Sequence, residues 1–294
     1  MDIWAPKLNG TVTGLGNGTT TLTATFMPSG RTASVQVTVS GAVEEQDLTI
    51  SQTEAEIPTR TTLLLKTNMP VTWSSSDETI ATVDSNGLVT ALRYGKVTIT
   101  ATASNGESAS CEVQSRYYDV NDDSNYYWTP VYWAADNVIT KGYDNVYFGP
   151  QNNCTREAVV TFLWRLAGKP EPKTTKNPFS DVSSDKYYYK AVLWAAENGI
   201  TKGCKDGTFR PDDTCLREHV VTFLYRYAGS PSVKPTVNPF NDVKLSDYYY
   251  RAAVWANQEG IANGYSEGEH AGGFGPKLDC LREHVVTFLC RFAK

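Results

Sequence analysis

Asn177-Pro178-Phe179-Ser180-Asp181-Val182, then Ala195-Ala196-Glu197-Asn198-Gly199-Ile200-Thr201-Lys202-Gly203, then Asp206-Gly207-Thr208-Phe209-Arg210-Pro211, then Leu216-Arg217-Glu218 follow in order within residues 177–218. The same order of events occurs in the segments before and after. Asp119-Val120, Asp181-Val182 and Asp242-Val243 open the three units, at spacings of 62 and 61 residues. Each unit continues with a tyrosine-rich run (Tyr126-Tyr127-Trp128, Tyr187-Tyr188-Tyr189, Tyr248-Tyr249-Tyr250) and a Trp-Ala step at Trp133, Trp194 or Trp255. A Gly-rich turn, an aromatic-x-Pro and an Arg-Glu follow, and beyond the Arg-Glu apolar residues recur at helical spacing, as at Val159, Phe162, Leu163 and Leu166. Each unit thus reads as two helices joined by a turn-rich loop. One such helical pair is too small to bury its apolar faces alone, so the three must pack together, and three copies predict a pseudo-threefold all-α body.

The segment before residue 116 is of another kind. It holds 4 of the 34 aromatic residues and all the excess negative charge, with 11 acids to 6 bases against 21 of each afterwards. From Thr11 to Val39 and from Leu48 to Val113, β-branched and small polar residues alternate between Gly, Asn, Ser and Pro breaks, which is the pattern of strands and turns. The two stretches are copies. Asn9-Gly10-Thr11-Val12-Thr13 matches Asn86-Gly87-Leu88-Val89-Thr90, and Gly18–Thr25 matches Gly95–Thr102, at a constant offset of 77 residues. Asn86-Gly87 between β-rich runs predicts a tight hairpin. Cys111 aligns with Val35 and reads as a buried strand residue.

Val71-Thr72-Trp73-Ser74-Ser75-Ser76, Ile80-Ala81-Thr82-Val83-Asp84, Gly87–Leu92 and Gly95–Ala101 resemble a bacterial immunoglobulin-like domain of group 2, a small β-sandwich. Residues 1–42 resemble only the second half of such a module, which is too little to close both sheets, so a fragment boundary is expected at the start of the chain. The repeated units resemble surface-layer homology domains, three in tandem. The expected organisation is multidomain: a partial immunoglobulin-like module at 1–42, a full one at 45–115, and surface-layer homology repeats at 116–170, 177–231 and 238–294.

That second resemblance implies non-covalent attachment to the Gram-positive cell wall, through inter-repeat grooves that bind secondary cell-wall polysaccharide, often bearing pyruvate ketals. The motif arginine falls at Arg156, Arg217 and Arg282. A ketal carboxylate suits a planar cation with several fixed donors, and a helix N-terminus is expected to add free N–H groups. Asp119, Asp181, Asp242, Trp128, Tyr189, Tyr250, Lys141 and Lys202 complete the candidate ligand-binding set. The competing role for each arginine is an ion pair with Asp119, Asp181 or Asp242 of a neighbouring unit. Trp133, Trp194 and Trp255 read as core residues. Where the family usually has Thr-Arg-Ala-Glu, this chain has Thr155-Arg156-Glu157-Ala158, Leu216-Arg217-Glu218-His219 and Leu281-Arg282-Glu283-His284. The reciprocal Thr and Glu capping box is therefore expected to be lost in all three, and the grooves to be unequal, the first being most family-like.

Cys154, Cys215 and Cys280 share one repeat position and read as buried thiols, and Cys290 as a packing residue; Cys204 and Cys215 flank one loop and are the best disulfide candidates. Cys215 with His219 and Cys280 with His284 have a spacing that zinc can use, but Ala158 breaks the pattern in the first unit. Asp119-x-Asn121-x-Asp123-x-Asn125 imitates the start of a calcium loop, yet Ser124 and Pro130 stand where that loop needs Gly and Glu. No metal or cofactor is expected. His270 lies in an insertion peculiar to the third unit and reads as a solvated loop residue.

The formal charge of −5 argues against wrapping nucleic-acid phosphates, and no apolar run approaches the roughly 18 residues of a membrane span. Met1-Asp2-Ile3-Trp4 has neither the basic nor the apolar region of a signal peptide, so an extracellular, wall-associated location is inferred from the modules. No nucleophile elbow, paired-carboxylate motif, metalloprotease helix or phosphate loop is visible, and the chain is not expected to be an enzyme. The expected partner is secondary cell-wall polysaccharide or peptidoglycan, with the immunoglobulin-like modules as spacer. The second reading is an adhesin whose β-modules bind a host or neighbouring-cell protein.

Overall fold

The computed structural model describes residues 12–13, 17–41, 46–233 and 238–294. The predicted copy at Asn9-Gly10-Thr11 lies outside them. Strands β1 (Gly18–Phe26) and β2 (Arg31–Val39) form an antiparallel hairpin with Leu22 opposite Val35. One face is polar and zipped by Thr19–Thr38 and Thr23–Ser34 hydroxyl pairs at 2.9 and 2.8 Å. Phe26 and Val35 on the other face are more than half exposed, whereas Ile99 and Cys111, which match Leu22 and Val35 by the repeat, are fully buried. Among the described residues the first copy is this two-stranded hairpin.

The second copy builds two sheets. One runs β3 (Glu54–Pro58), β9 (Ser108–Arg116), β8 (Gly95–Ala103), β5 (Val71–Ser75); the other runs β4 (Thr62–Leu64), β7 (Leu88–Ala91), β6 (Ala81–Val83). Alternation along β8 and β9 directs Val97, Ile99, Cys111 and Val113 inward onto Ile57, Leu65 and Val89. The predicted β6–β7 hairpin forms, but Asp84–Gly87 makes a longer loop than a two-residue turn. Asp84 accepts the N–H groups of Asn86 and Leu88 at 2.8 and 2.9 Å, which holds its carboxyl below the usual carboxylate range. Gly87 has φ +82°, and a Cβ there would lie 2.9 Å from the Trp73 ring, so glycine is required.

Beyond Arg116 the chain is helical: α1 (Trp128–Asp136), α2 (Arg156–Leu166), α3 (Tyr189–Glu197), α4 (Arg217–Tyr227), α5 (Tyr250–Gln258) and α6 (Arg282–Phe292). Helix α2 packs on α3, α4 on α5 and α6 on α1, so the second helix of each repeat serves the first helix of another. The repeats share one core in which Trp194 and Trp255 are buried. At its centre the N–H of Cys154 donates to the carbonyl of Cys280 (2.9 Å), Cys215 to Cys154 (2.8 Å) and Cys280 to Cys215 (3.0 Å), closing a cycle of backbone bonds. All three thiols are buried, and burial pushes that of Cys154 up to about 12. Cys290 is buried as well, and Cys204 is half-buried and not bonded to Cys215.

The β-region and the helices are joined without a linker. Arg116 ends β9, and the next residue, Tyr117, is fully buried in the helical core.

Candidate functional site

Each groove begins with a loop held by an aspartate. Asp119 accepts the N–H groups of Phe148 and Gly149 (2.8 and 2.7 Å), Asp181 those of Phe209 and Arg210 (2.7 Å each), and Asp242 those of Phe274 and Gly275 (2.7 and 2.8 Å). These carboxylates are occupied by backbone of their own repeat, and none is paired with a motif arginine.

The same phenylalanines turn their carbonyls to an arginine of another repeat. Arg156 Nε donates to Phe209 O (2.9 Å), Arg217 Nε to Phe274 O (3.0 Å) and Arg282 Nε to Phe148 O (3.0 Å). Arg217 also reaches Asn263 O at 3.2 Å and Arg282 the Thr140 hydroxyl at 3.4 Å. All three arginines are buried, and each guanidinium lies on aromatic rings, as Arg282 does over Tyr143 at 4.6 Å and Phe148 at 4.9 Å. Aspartate, loop backbone and arginine thus form one relay from repeat to repeat.

The helix N-termini differ from expectation. Their first N–H groups are not free: Arg156 N donates to Asp213 O (2.9 Å), Glu157 N to Pro211 O (3.1 Å), Arg217 N to Leu278 O (3.0 Å) and Arg282 N to Asn152 O (2.9 Å). The next repeat caps each helix, so a ligand meets side chains there and not open amides. The capping box is also only half lost. His219 Nδ1 accepts from Leu216 N at 3.2 Å, and His284 Nδ1 from Leu281 N at 3.3 Å, so imidazole replaces the missing glutamate. Burial and the neighbouring Arg156 and Lys277 lower the His219 pKa to about 4, and burial with Arg217 does the same for His284. Each imidazole is therefore neutral, with its proton on Nε2. His219 is committed to this cap and the Asp119 oxygens to amides. Among the described residues no group of three or more ligating side chains is gathered for a metal.

Three clefts result, each drawn from three repeats. The largest, about 720 Å³, brings Arg156 of the first repeat to Lys202, His219 and Arg226 of the second and Tyr248 of the third. A second, about 320 Å³, joins Arg282 to Lys141, Thr155, Arg165 and Tyr187. The third, about 470 Å³, joins Arg217 to Asn263, His284, Arg291 and Tyr126. A motif arginine and the lysine of its own repeat therefore never share a cleft: Arg156 meets Lys202, and Arg282 meets Lys141. Asn263 takes the lysine position in the third cleft, which also contains Glu267. The Arg156 cleft has the most cationic lining, with Arg210 added and Asp213 opposing.

Trp128, Tyr189 and Tyr250 head helices α1, α3 and α5, are half-buried against the core, and line none of these clefts. The first tyrosine of each run does. Tyr126 donates to Glu283 at 2.8 Å, Tyr248 to Glu218 at 3.0 Å, and Tyr187 to Glu157. Burial and the glutamate acceptor hold the Tyr126 and Tyr187 phenols well above their ordinary pKa, so these hydroxyls stay protonated. Arg165, Arg226 and Arg291, at the far end of each helix, donate to the carbonyls of Ile139, Ile200 and Ile261. Their recurrence at one repeat position was the available signal.

The chain therefore combines a β-rich region with helical repeats that build clefts between them. A family model described as Bacterial Ig-like domain (group 2) matches residues 31–113, and the S-layer homology domain matches residues 116–160, 178–221 and 239–285. The chain carries a group 2 bacterial Ig-like domain followed by three tandem S-layer homology domains. It is similar to the cellulosome-anchoring protein of Acetivibrio thermocellus, at 28% identity over 156 residues, 51% of this chain and 34% of that protein. Cell surface glycoprotein 1 of the same organism is 25% identical over 158 residues, 51% of this chain and 7% of that protein. The amylopullulanase of Thermoanaerobacterium thermosulfurigenes is 27% identical over 208 residues, 66% of this chain and 10% of that enzyme. The chain spans at most 34% of the length of these relatives. Among the described residues no helix is long and apolar enough to cross a membrane.

Proposed function

We propose that this chain is a non-enzymatic anchor, which holds a surface protein to the Gram-positive cell wall by binding secondary cell-wall polysaccharide in its inter-repeat clefts. Repeats 116–170, 177–231 and 238–294 form a pseudo-threefold body, a reading supported by the closed cycle of Cys154, Cys215 and Cys280. The module at 45–115, with the partial one at 1–42, is the spacer. The observation that carries the proposal is the meeting of Arg156, Lys202 and Tyr248 from three repeats in one cleft. A clamped planar cation, an exposed ammonium and an aromatic rim suit an acidic, ketal-bearing sugar. The candidate residues then divide by role. Arg156, Arg217, Arg282, Lys141 and Lys202 face the ligand. Asp119, Asp181 and Asp242 position the arginines through the loops, while Trp128, Tyr189 and Tyr250 support the helices behind.

The test is sedimentation of the full chain with purified walls, before and after the secondary polymer is stripped. Unmodified walls are expected to pull down the chain, and stripped walls to leave it in solution. Lys202→Glu should weaken binding roughly 10- to 100-fold, the equivalent of one charged hydrogen bond of about 1.5–3 kcal/mol. Equal binding to stripped walls would remove the polysaccharide and favour peptidoglycan. Failure to bind either wall would favour an adhesin acting through the β-modules.

A further inference from the structure

The loop that closes the Lys141 and Arg282 cleft is also the surface on which the immunoglobulin-like module rests. Tyr94 N donates to Asn145 O (2.6 Å), the Thr59 hydroxyl to Val146 O (3.2 Å), and Arg60 Nη1 to the Tyr147 hydroxyl (2.5 Å). The Tyr94 ring stacks on Tyr117 at 4.6 Å, and Tyr117 lies within 6.0 Å of Tyr132 in a nearly parallel array. On its other side the same loop meets the ligand-facing groups. Tyr147 O accepts from Tyr143 N at 2.9 Å, and Phe148 O accepts from Arg282 at 3.0 Å.

Backbone conformation supports a specific contact. Arg60 (φ +65°) and Asn145 (φ +63°) both occupy the left-handed region, which asparagine tolerates but which is disfavoured for arginine. The second repeat has Asp206 at the place of Asn145, and its positive φ (+77°) falls one position later on Gly207, which adopts it without cost. Arg60 is held by its own N–H on Ala91 O at 2.8 Å, which aims its side chain at Tyr147. Strain at Arg60 therefore lies at the interface between the two domains, the circumstance in which such strain persists.

We infer that the β-module braces the Lys141 and Arg282 cleft: Thr59, Arg60 and Tyr94 are positioning residues that set the 140–148 loop, and through Phe148 O the guanidinium of Arg282. The spacer is thereby part of the binding unit, and one cleft of three depends on it. The polysaccharide reading enters only in what that loop binds.

The experiment compares the full chain with an Arg60→Gly/Tyr94→Ala variant. Glycine keeps the left-handed turn at position 60 and removes only the clamp, so the module is expected to fold. Hydrogen exchange at Tyr143, Val146 and Tyr147 should accelerate at least about 10-fold, while Cys204 and Thr208 in the second repeat exchange as before. A methyl glycoside of a pyruvate-ketal hexosamine serves as binding probe. In a Lys202→Glu background, where the Lys141 and Arg282 cleft reports, its affinity should fall about 10-fold. In a Lys141→Glu background it should not change. Arg60→Lys, which keeps a cation opposite Tyr147, should restore part of the loss. Unchanged exchange in the loop overturns the brace, as does faster exchange with unchanged affinity in both backgrounds. If the unmodified chain binds no probe at all, the polysaccharide reading fails, and the exchange result alone decides the brace.

Discussion

Arg156→Ala is expected to remove wall binding and to destabilise the helical body by about 3–5 kcal/mol. The side chain is only 7% exposed, and its Nε donates to Phe209 O at 2.9 Å, with the guanidinium over the Phe209 ring at 5.1 Å and the Phe223 ring at 5.7 Å. A charge-assisted hydrogen bond of this kind contributes about 1.5–3 kcal/mol, and a desolvated cation–π contact about 2. Truncation also leaves the Phe209 carbonyl unpaired between two repeats. Stability and ligand contact then fall together, so Arg156→Lys is the informative partner. An ammonium retains the charge but not the planar fork, and it should keep most of the thermal stability while binding walls at least about 10-fold more weakly. Melting curves alongside wall sedimentation check both. A lysine variant that binds as tightly as the original chain would show that the cleft needs only positive charge.

Acid should loosen the repeats as pH falls below about 6.5. His219 and His284 are held near pKa 4, against about 6.5 when unfolded. Between those values the unfolded chain takes up more protons than the folded one, so stability is complete above about pH 6.5 and declines as pH falls toward 4. Each histidine contributes on the order of 2 kcal/mol across this window. The structural cause is direct: a protonated Nδ1 becomes a donor facing the Leu216 or Leu281 N–H that it formerly accepted. Glu283 opposes the trend, because burial raises its pKa and its contribution weakens as pH rises. Denaturation midpoints measured from pH 4 to 7 should therefore slope upward with pH. His219→Gln/His284→Gln, which keeps an acceptor without titrating, should flatten the slope. An equal slope in that variant would place the acid sensitivity elsewhere.

The repeat spacing made the helical pairs legible, because Val159, Phe162 and Leu163 fall on one helical face whatever lies beside it. The alternation in Gly95–Ala103 did the same for the β-region. The partner of each arginine was not legible. Arg156 meets Lys202 rather than Lys141, since the helix that starts at Arg156 is capped by carbonyls of the next repeat. That hand-over is tertiary and leaves no local pattern. The tyrosine runs posed a similar difficulty. Three adjacent aromatic residues look alike in sequence, and only the helix start at Tyr189 or Tyr250 decides that Tyr187 and Tyr248 cross to a neighbouring glutamate. The histidine caps carry no sequence signature, because they reproduce half of a motif with a different residue type.

The central claim is that wall polysaccharide lies in clefts assembled from three repeats, first of all the one with Arg156. Its most direct test is a hydrogen-exchange footprint of the full chain with polysaccharide released from purified walls. Protection is predicted on Thr201–Cys204, the start of α4 and Tyr248 together, although these segments belong to two repeats. Protection confined to the β-region, or none on these segments at saturating polysaccharide, would contradict it.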